Sequence, residues 1–85
     1  MVVHINESAF SHGFTEEDIH NALATVIFDG LLPKYVNKYL LIGFDRNSNL
    51  LEIMYNIKED ESYNIFHAMK CRKEYYRYVE EGYYV

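Results

Sequence analysis

The chain has 85 residues, 49% of them hydrophobic and 16% aromatic, with nine tyrosines, no tryptophan and a formal charge of −5. That length gives one domain (residues 1–85) around one core, burying about 60–65% of the surface an unfolded chain exposes. The negative balance excludes a nucleic-acid binder that works by bulk electrostatics, and the single cysteine, Cys71, excludes an intrachain disulfide and a cysteine-based metal cluster. One cysteine fits a reducing cytoplasm, and neither a signal-peptide pattern nor an apolar run of about 20 residues is present, so no membrane partner is expected.

In chain order, "NESAFSHG" suits a short helical segment with Asn6 as its cap and Gly13 as its stop. "FTEEDIHNALATVIFDG" predicts the clearest helix. Thr15 caps it, Asp18 takes the capping-box position, and Phe14 can staple to Ile19. Ile19, Ala22, Leu23, Val26 and Ile27 then form one apolar stripe, and Gly30 ends the helix. After a turn around Pro33, Lys38–Phe44 and Leu50–Ile57 alternate as two strands of a hairpin joined by "DRNSN". "KEDE" makes the next turn, and Ser62–Met69 forms a third strand with Tyr63, Ile65, His67 and Met69 on one face. Cys71–Glu81 reads as a closing helix with Arg72, Tyr75, Tyr76 and Val79 at helical spacing. The whole predicts a two-layer α+β fold: N-terminal helices, an antiparallel meander of three or four strands, and a C-terminal helix.

Candidate chemistry concentrates late in the chain. The four histidines, His4, His12, His20 and His67, lack the spacing that preassembles a metal site, so neither a metal nor a cofactor is expected. His12 reads as a cap for the short helix and His20 as a surface residue. Cys71 lies four residues from His67, but a buried, inert thiol is the simpler reading. Lys70, Arg72, Lys73 and Arg77 supply half of the eight basic residues, forming either a local basic stripe or a solvated helix face. His67, Arg72 and Tyr76 are suitable types for metal-free RNA cleavage, which needs a base, an acid and a cation on the phosphate. A core-facing histidine packed by tyrosine gives the same letters, and both readings stand open.

The segments "HGFTEEDIHNAL", "KYLLIGFDRNSNLLEIMY" and "FHAMKCRKEYYRY" resemble a family of small bacterial proteins related to the BrnT and RelE-like toxins of type II toxin–antitoxin modules. The resemblance runs from about Ser8 to Tyr78 and is most specific in "HAMKCRKEYYRY". It implies a RelE-like fold and a toxin that acts as a metal-independent endoribonuclease on free or ribosome-bound mRNA, neutralised by a cognate antitoxin protein. Carried over, it implies catalytic roles for His67, Arg72 and Tyr76 and a phosphate contact for Arg46, with Lys70, Lys73 and Arg77 beside the substrate. The chain departs from the family in its acidity and in having Asn49 near the place where a turn glycine is usual. The alternative is a non-enzymatic homodimeric interaction module using exposed tyrosines and the terminal "EEGYYV".

Overall fold

The computed structural model describes residues 2–82, with the side chains of Glu81 and Gly82 left aside. Tyr83–Val85, the end of the "EEGYYV" segment, lies outside the described residues. The fold is mixed α+β: five strands, β1 (Val3–Ile5), β2 (Phe28–Leu31), β3 (Tyr39–Phe44), β4 (Leu50–Ile57) and β5 (Tyr63–Lys70), make one sheet in the order β1-β5-β4-β3-β2. Helix α1 (Glu16–Ala24) precedes β2, and α2 (Tyr76–Gly82) follows β5. Strands β2 to β5 form the antiparallel meander, while β1 joins β5 in parallel as the fifth strand.

Two strands were not expected, for physical reasons that can be named. The apolar stripe of the first helix stops working at Thr25. Its β-branched side chain accepts a hydrogen bond from the Phe44 backbone N–H at 2.9 Å and donates to the Asn21 carbonyl at 2.8 Å. The following Val26-Ile27-Phe28 run has extended preference, and Ile27 N–H bonds the Ile42 carbonyl at 2.8 Å. Ile19 and Ala22 are fully buried on one face of the sheet, whereas Ile27 packs on the other and Val26 is 43% exposed. Gly30 therefore sits within β2 and does not end the helix. β1 spans only three residues, too few for alternation to reveal it.

The N-terminal capping signals are realised. Asn6 Oδ1 accepts from Ser8 N–H at 3.0 Å at the head of a 3₁₀ turn, Glu7–Phe10, and Gly13 takes a positive φ of 87°. Thr15 and Asp18 form the reciprocal capping box of α1. At Gly43, on β3, the helix backbone comes so close that a Cβ would overlap the Ala22 carbonyl. The glycine of "LIGF" is thus the seat on which α1 rests, and substitution there forces the helix off the sheet. In the β3–β4 turn, Asp45 Oδ1 accepts from the N–H groups of Asn47 and Asn49, both at 2.8 Å. Ser48, at φ 65°, takes the left-handed conformation that favours glycine, so the position is Ser48 and not the neighbouring Asn49.

The sheet is covered on both faces, which replaces the expected two layers with three. On one face Ile19 and Ala22 of α1 and Ala9 of the 3₁₀ turn pack on Leu41, Leu51, Ile53, Ile65 and Ala68. A stack of Tyr39, Tyr55 and Tyr63 continues this face across β3, β4 and β5, with ring centroids 5.1 and 5.0 Å apart. The Tyr55 hydroxyl donates to Asp29 at 2.6 Å, giving the buried phenol its polar partner. On the other face Leu40, Ile42 and Met54 meet Tyr75, Tyr78 and Val79 from the C-terminal segment. Each covered face contributes on the order of 25 cal/mol per Å² of apolar surface removed from water. No helix among the described residues is long and apolar enough to cross a membrane.

Candidate functional site

A break in alternation puts His67 where it is. Met54 of β4 pairs with His67 of β5, but the next residue, Tyr55, pairs with Ile65, leaving Phe66 as an extra residue. Such a bulge turns two successive side chains to the same side and re-aims everything beyond it. Tyr63 and Ile65 therefore face α1, whereas Phe66 and His67 face the α2 side with Met54. The expectation that His67 shares a face with Tyr63 and Ile65 is corrected by this one residue. The bulged Phe66 carbonyl is not orphaned: Ser8 Oγ donates to it at 2.7 Å.

On that same face Glu52 of β4 projects between Leu50 and Met54. It is fully buried, and a carboxylate so placed must be paired. His67 Nε2 lies 2.9 Å from Glu52 Oε2. Arg72 supplies the rest. Its backbone N–H donates to Oε1 at 2.8 Å, its Nε to both oxygens at 3.1 and 3.2 Å, and its Nη2 to Oε2 at 2.7 Å. Burial alone would raise the Glu52 carboxyl, but the hydrogen bonds from Arg72 and His67 outweigh it and hold the group below the usual glutamate range. Glu52 is thus an anion, and Arg72 is held even more firmly as a cation.

The bonds from both partners converge on a carboxylate that solvent does not reach, while the outer ends stay accessible. The His67 side chain is 19% exposed and that of Arg72 42% exposed, against 0% for Glu52. The Arg72 guanidinium also lies over the Tyr75 ring, 5.3 Å from its centroid, and 3.6 Å from Glu74. A third element closes the cluster. Among the described residues, β1 pairs with β5 through residues 63–65 and no strand lies beside the edge from Phe66 onward. Past this edge comes His12 from the turn after Phe10, its ring 5.4 Å from that of His67 and edge-to-face with it.

The predicted site residues fall into separate groups. His67 and Arg72 come together through Glu52. Arg72 is not in a helix: its φ and ψ of −80° and 152° are extended, and it precedes a 3₁₀ turn, Lys73–Tyr75, that leads into α2. That shift makes Tyr75, not Tyr76, the tyrosine beside Arg72; Tyr76 is 38% exposed. Lys70 ends β5, and Lys70 and Lys73 are exposed, whereas the Arg77 guanidinium lies over Tyr78, 5.0 Å from its ring centroid. Arg46 belongs elsewhere. It is committed to Glu17 at 2.8 Å and to Asp18 at 3.3 Å on α1, which covers the opposite face of the sheet.

Glu52, His12 and Tyr75 were missed from the sequence. A signal for Glu52 was there: a lone acid inside the apolar run "LLEIMY", at an inward position of a strand. Nothing local could have paired His12 with His67, because a 55-residue separation is bridged by long-range contacts, the β1–β5 pairing and the bonds of Asn6 and Ser8 to β5. Cys71 is buried, and burial, then the Glu52 charge, push its thiol up to about 11, which leaves it protonated and unsuited to attack. Among the described residues no group of three histidine, cysteine, aspartate or glutamate side chains could hold a metal ion. In comparisons with known proteins, no family model matches the chain, and no curated protein or solved structure does so.

Proposed function

We propose that the chain is a toxin-like, metal-independent endoribonuclease of the RelE/BrnT type, held in check by a cognate antitoxin protein. The observation that carries this reading is the buried Glu52 carboxylate, which orients His67 and Arg72 together with their outer ends accessible. A carboxylate behind an imidazole fixes its tautomer and stabilises the imidazolium, the requirement for a base in proton transfer. The Arg72 guanidinium beside it, its Nε and Nη2 bonded to Glu52, would turn its Nη1 side to the phosphate whose charge grows as the 2′ oxygen attacks. Lys70 and Lys73, exposed on either side of Arg72 in the chain, would hold the flanking backbone despite the overall charge of −5. In this reading Tyr75 stacks behind the guanidinium, and Tyr76 is free to meet a base.

The test is expression in a bacterial host together with cleavage of a single-stranded RNA oligonucleotide in the presence of a chelator. Wild-type protein is expected to arrest growth and cut the oligonucleotide; His67→Ala and Arg72→Ala are expected to do neither, with cleavage down about 10²–10⁴-fold. Equal growth of all three strains would sink the nuclease reading. It would turn attention to self-association, for which Leu31, Tyr35 and Val36, 49%, 51% and 96% exposed beside edge strand β2, are the motivating surface. A mass that rises with concentration in light scattering distinguishes that second reading.

A further inference from the structure

We infer that His12 is the proton donor of this centre, paired with His67 as its proton acceptor, so that the two rings meeting past the edge of β5 divide acid from base. The inference rests on the reading of the cluster as an RNA-cleaving site and gives that site the acid it otherwise lacks. Geometry assigns the two roles. With Glu52 ionised, Nε2 of His67 carries a proton and donates it to Oε2 at 2.9 Å, leaving Nδ1 with its lone pair. His67 is therefore built to accept a proton at Nδ1, and the imidazolium that results is matched by the carboxylate behind it.

His12 differs in every one of these respects. It is exposed, it belongs to the turn between the 3₁₀ segment and α1, and no carboxylate bonds it among the described residues. Its ring meets that of His67 edge-to-face at 5.4 Å, so the two imidazoles lie side by side. Among the described residues, the charged groups tied to the pair are Glu52 from β4, which bonds His67, and Arg72 from the segment after β5, which bonds the same carboxylate.

The step balances. The 2′ oxygen bonds to phosphorus as the bond from phosphorus to the 5′ oxygen breaks. Nδ1 of His67 gains the 2′ proton and His12 gives one to the 5′ oxygen, leaving a 2′,3′-cyclic phosphate and a free 5′ hydroxyl. Exchange with water then returns both rings to their starting states. In-line attack places the entering and leaving oxygens on opposite sides of phosphorus, which is why two groups, and not one, are needed.

The experiment compares an RNA oligonucleotide with a uridine 3′-phosphodiester whose leaving group is 4-nitrophenol, which departs without a proton. His12→Ala is expected to slow oligonucleotide cleavage by about 10²–10⁴-fold and to flatten the alkaline side of the pH–rate profile. On the activated diester the same variant should stay within a few-fold of wild type, whereas His67→Ala fails on both. An unchanged melting temperature for His12→Ala, an exposed position, shows that the loss is not one of folding. If His12→Ala cuts the oligonucleotide at the wild-type rate, or slows both substrates alike, the assignment to His12 is overturned while the nuclease reading survives. Wild-type protein that cuts neither substrate overturns both.

Discussion

Asp18 and Glu52 are built alike and used differently. Each is a carboxylate shielded from solvent that accepts both the backbone N–H and the Nε–H of an arginine, Arg46 in the first case and Arg72 in the second. Asp18 gives its remaining capacity to the Thr15 backbone and hydroxyl, closing the capping box. Glu52 gives its remaining capacity to His67. One carboxylate ties a turn to a helix start on the α1 face; the other, on the opposite face, holds a titratable ring beside a cation. The pairing motif alone therefore says little about role, and the third partner decides it.

The largest effect expected from breaking this pair is at Glu52. Glu52→Gln keeps the shape but leaves Arg72 and His67 without their anion, which should cost about 2–3 kcal/mol in urea unfolding near pH 7. Its carboxyl lies below the ordinary value of about 4.3, so the stabilisation is fully present above that value and is lost as pH falls through the lower folded one. The gap between wild type and Glu52→Gln should thus be widest near neutrality and close progressively below about pH 4. A gap that is independent of pH would show that the Glu52 charge contributes nothing.

Asp18→Ala is expected to matter less, about 1–2 kcal/mol, because it removes the N3 half of the capping box and one partly exposed tether while the Thr15 cap remains. RNA cleavage should be unaffected, and a parallel loss of cleavage would erase the distinction between the two carboxylates. The smallest effect is at Arg46. Its side chain is 51% exposed, and ion pairs of that kind contribute about 0–1 kcal/mol. Arg46→Ala should leave both the melting curve and cleavage close to wild type, and a large loss of cleavage would restore Arg46 to the phosphate site.

How far the sequence could be read follows the range of the interactions. The capping box at Thr15 and Asp18, the β3–β4 hairpin and the two faces of β4 are set by neighbours in the chain, and all of them appear as expected. β1 and β2 are short and owe their existence to partners: β1 to β5, and β2 to a hydrogen-bonding Thr25 that halts a helix whose apolar spacing runs on. The bulge at Phe66 is invisible to a period-2 count, yet it alone moves His67 to the face of Glu52. Extended backbone at Arg72 likewise slips the closing helix, exchanging Tyr76 for Tyr75 at the guanidinium. A one-residue error in register was enough to misplace half of the site.

The parallel partnership of β1 with β5 has a consequence for the timing of synthesis. Val3 waits for Tyr63, its partner in the sheet, and His12 waits for His67. At a translation speed of about 5–20 residues per second, the head of the chain is without its neighbour for about 3–12 s. Helix α1 and the β3–β4 hairpin can form in that interval from local contacts, but the strand that completes the sheet and the ring that completes the cluster cannot. A ribosome-bound fragment that ends before β5 therefore holds Glu52 and His12 but neither His67 nor Arg72, and the cluster assembles only once β5 and the segment after it arrive.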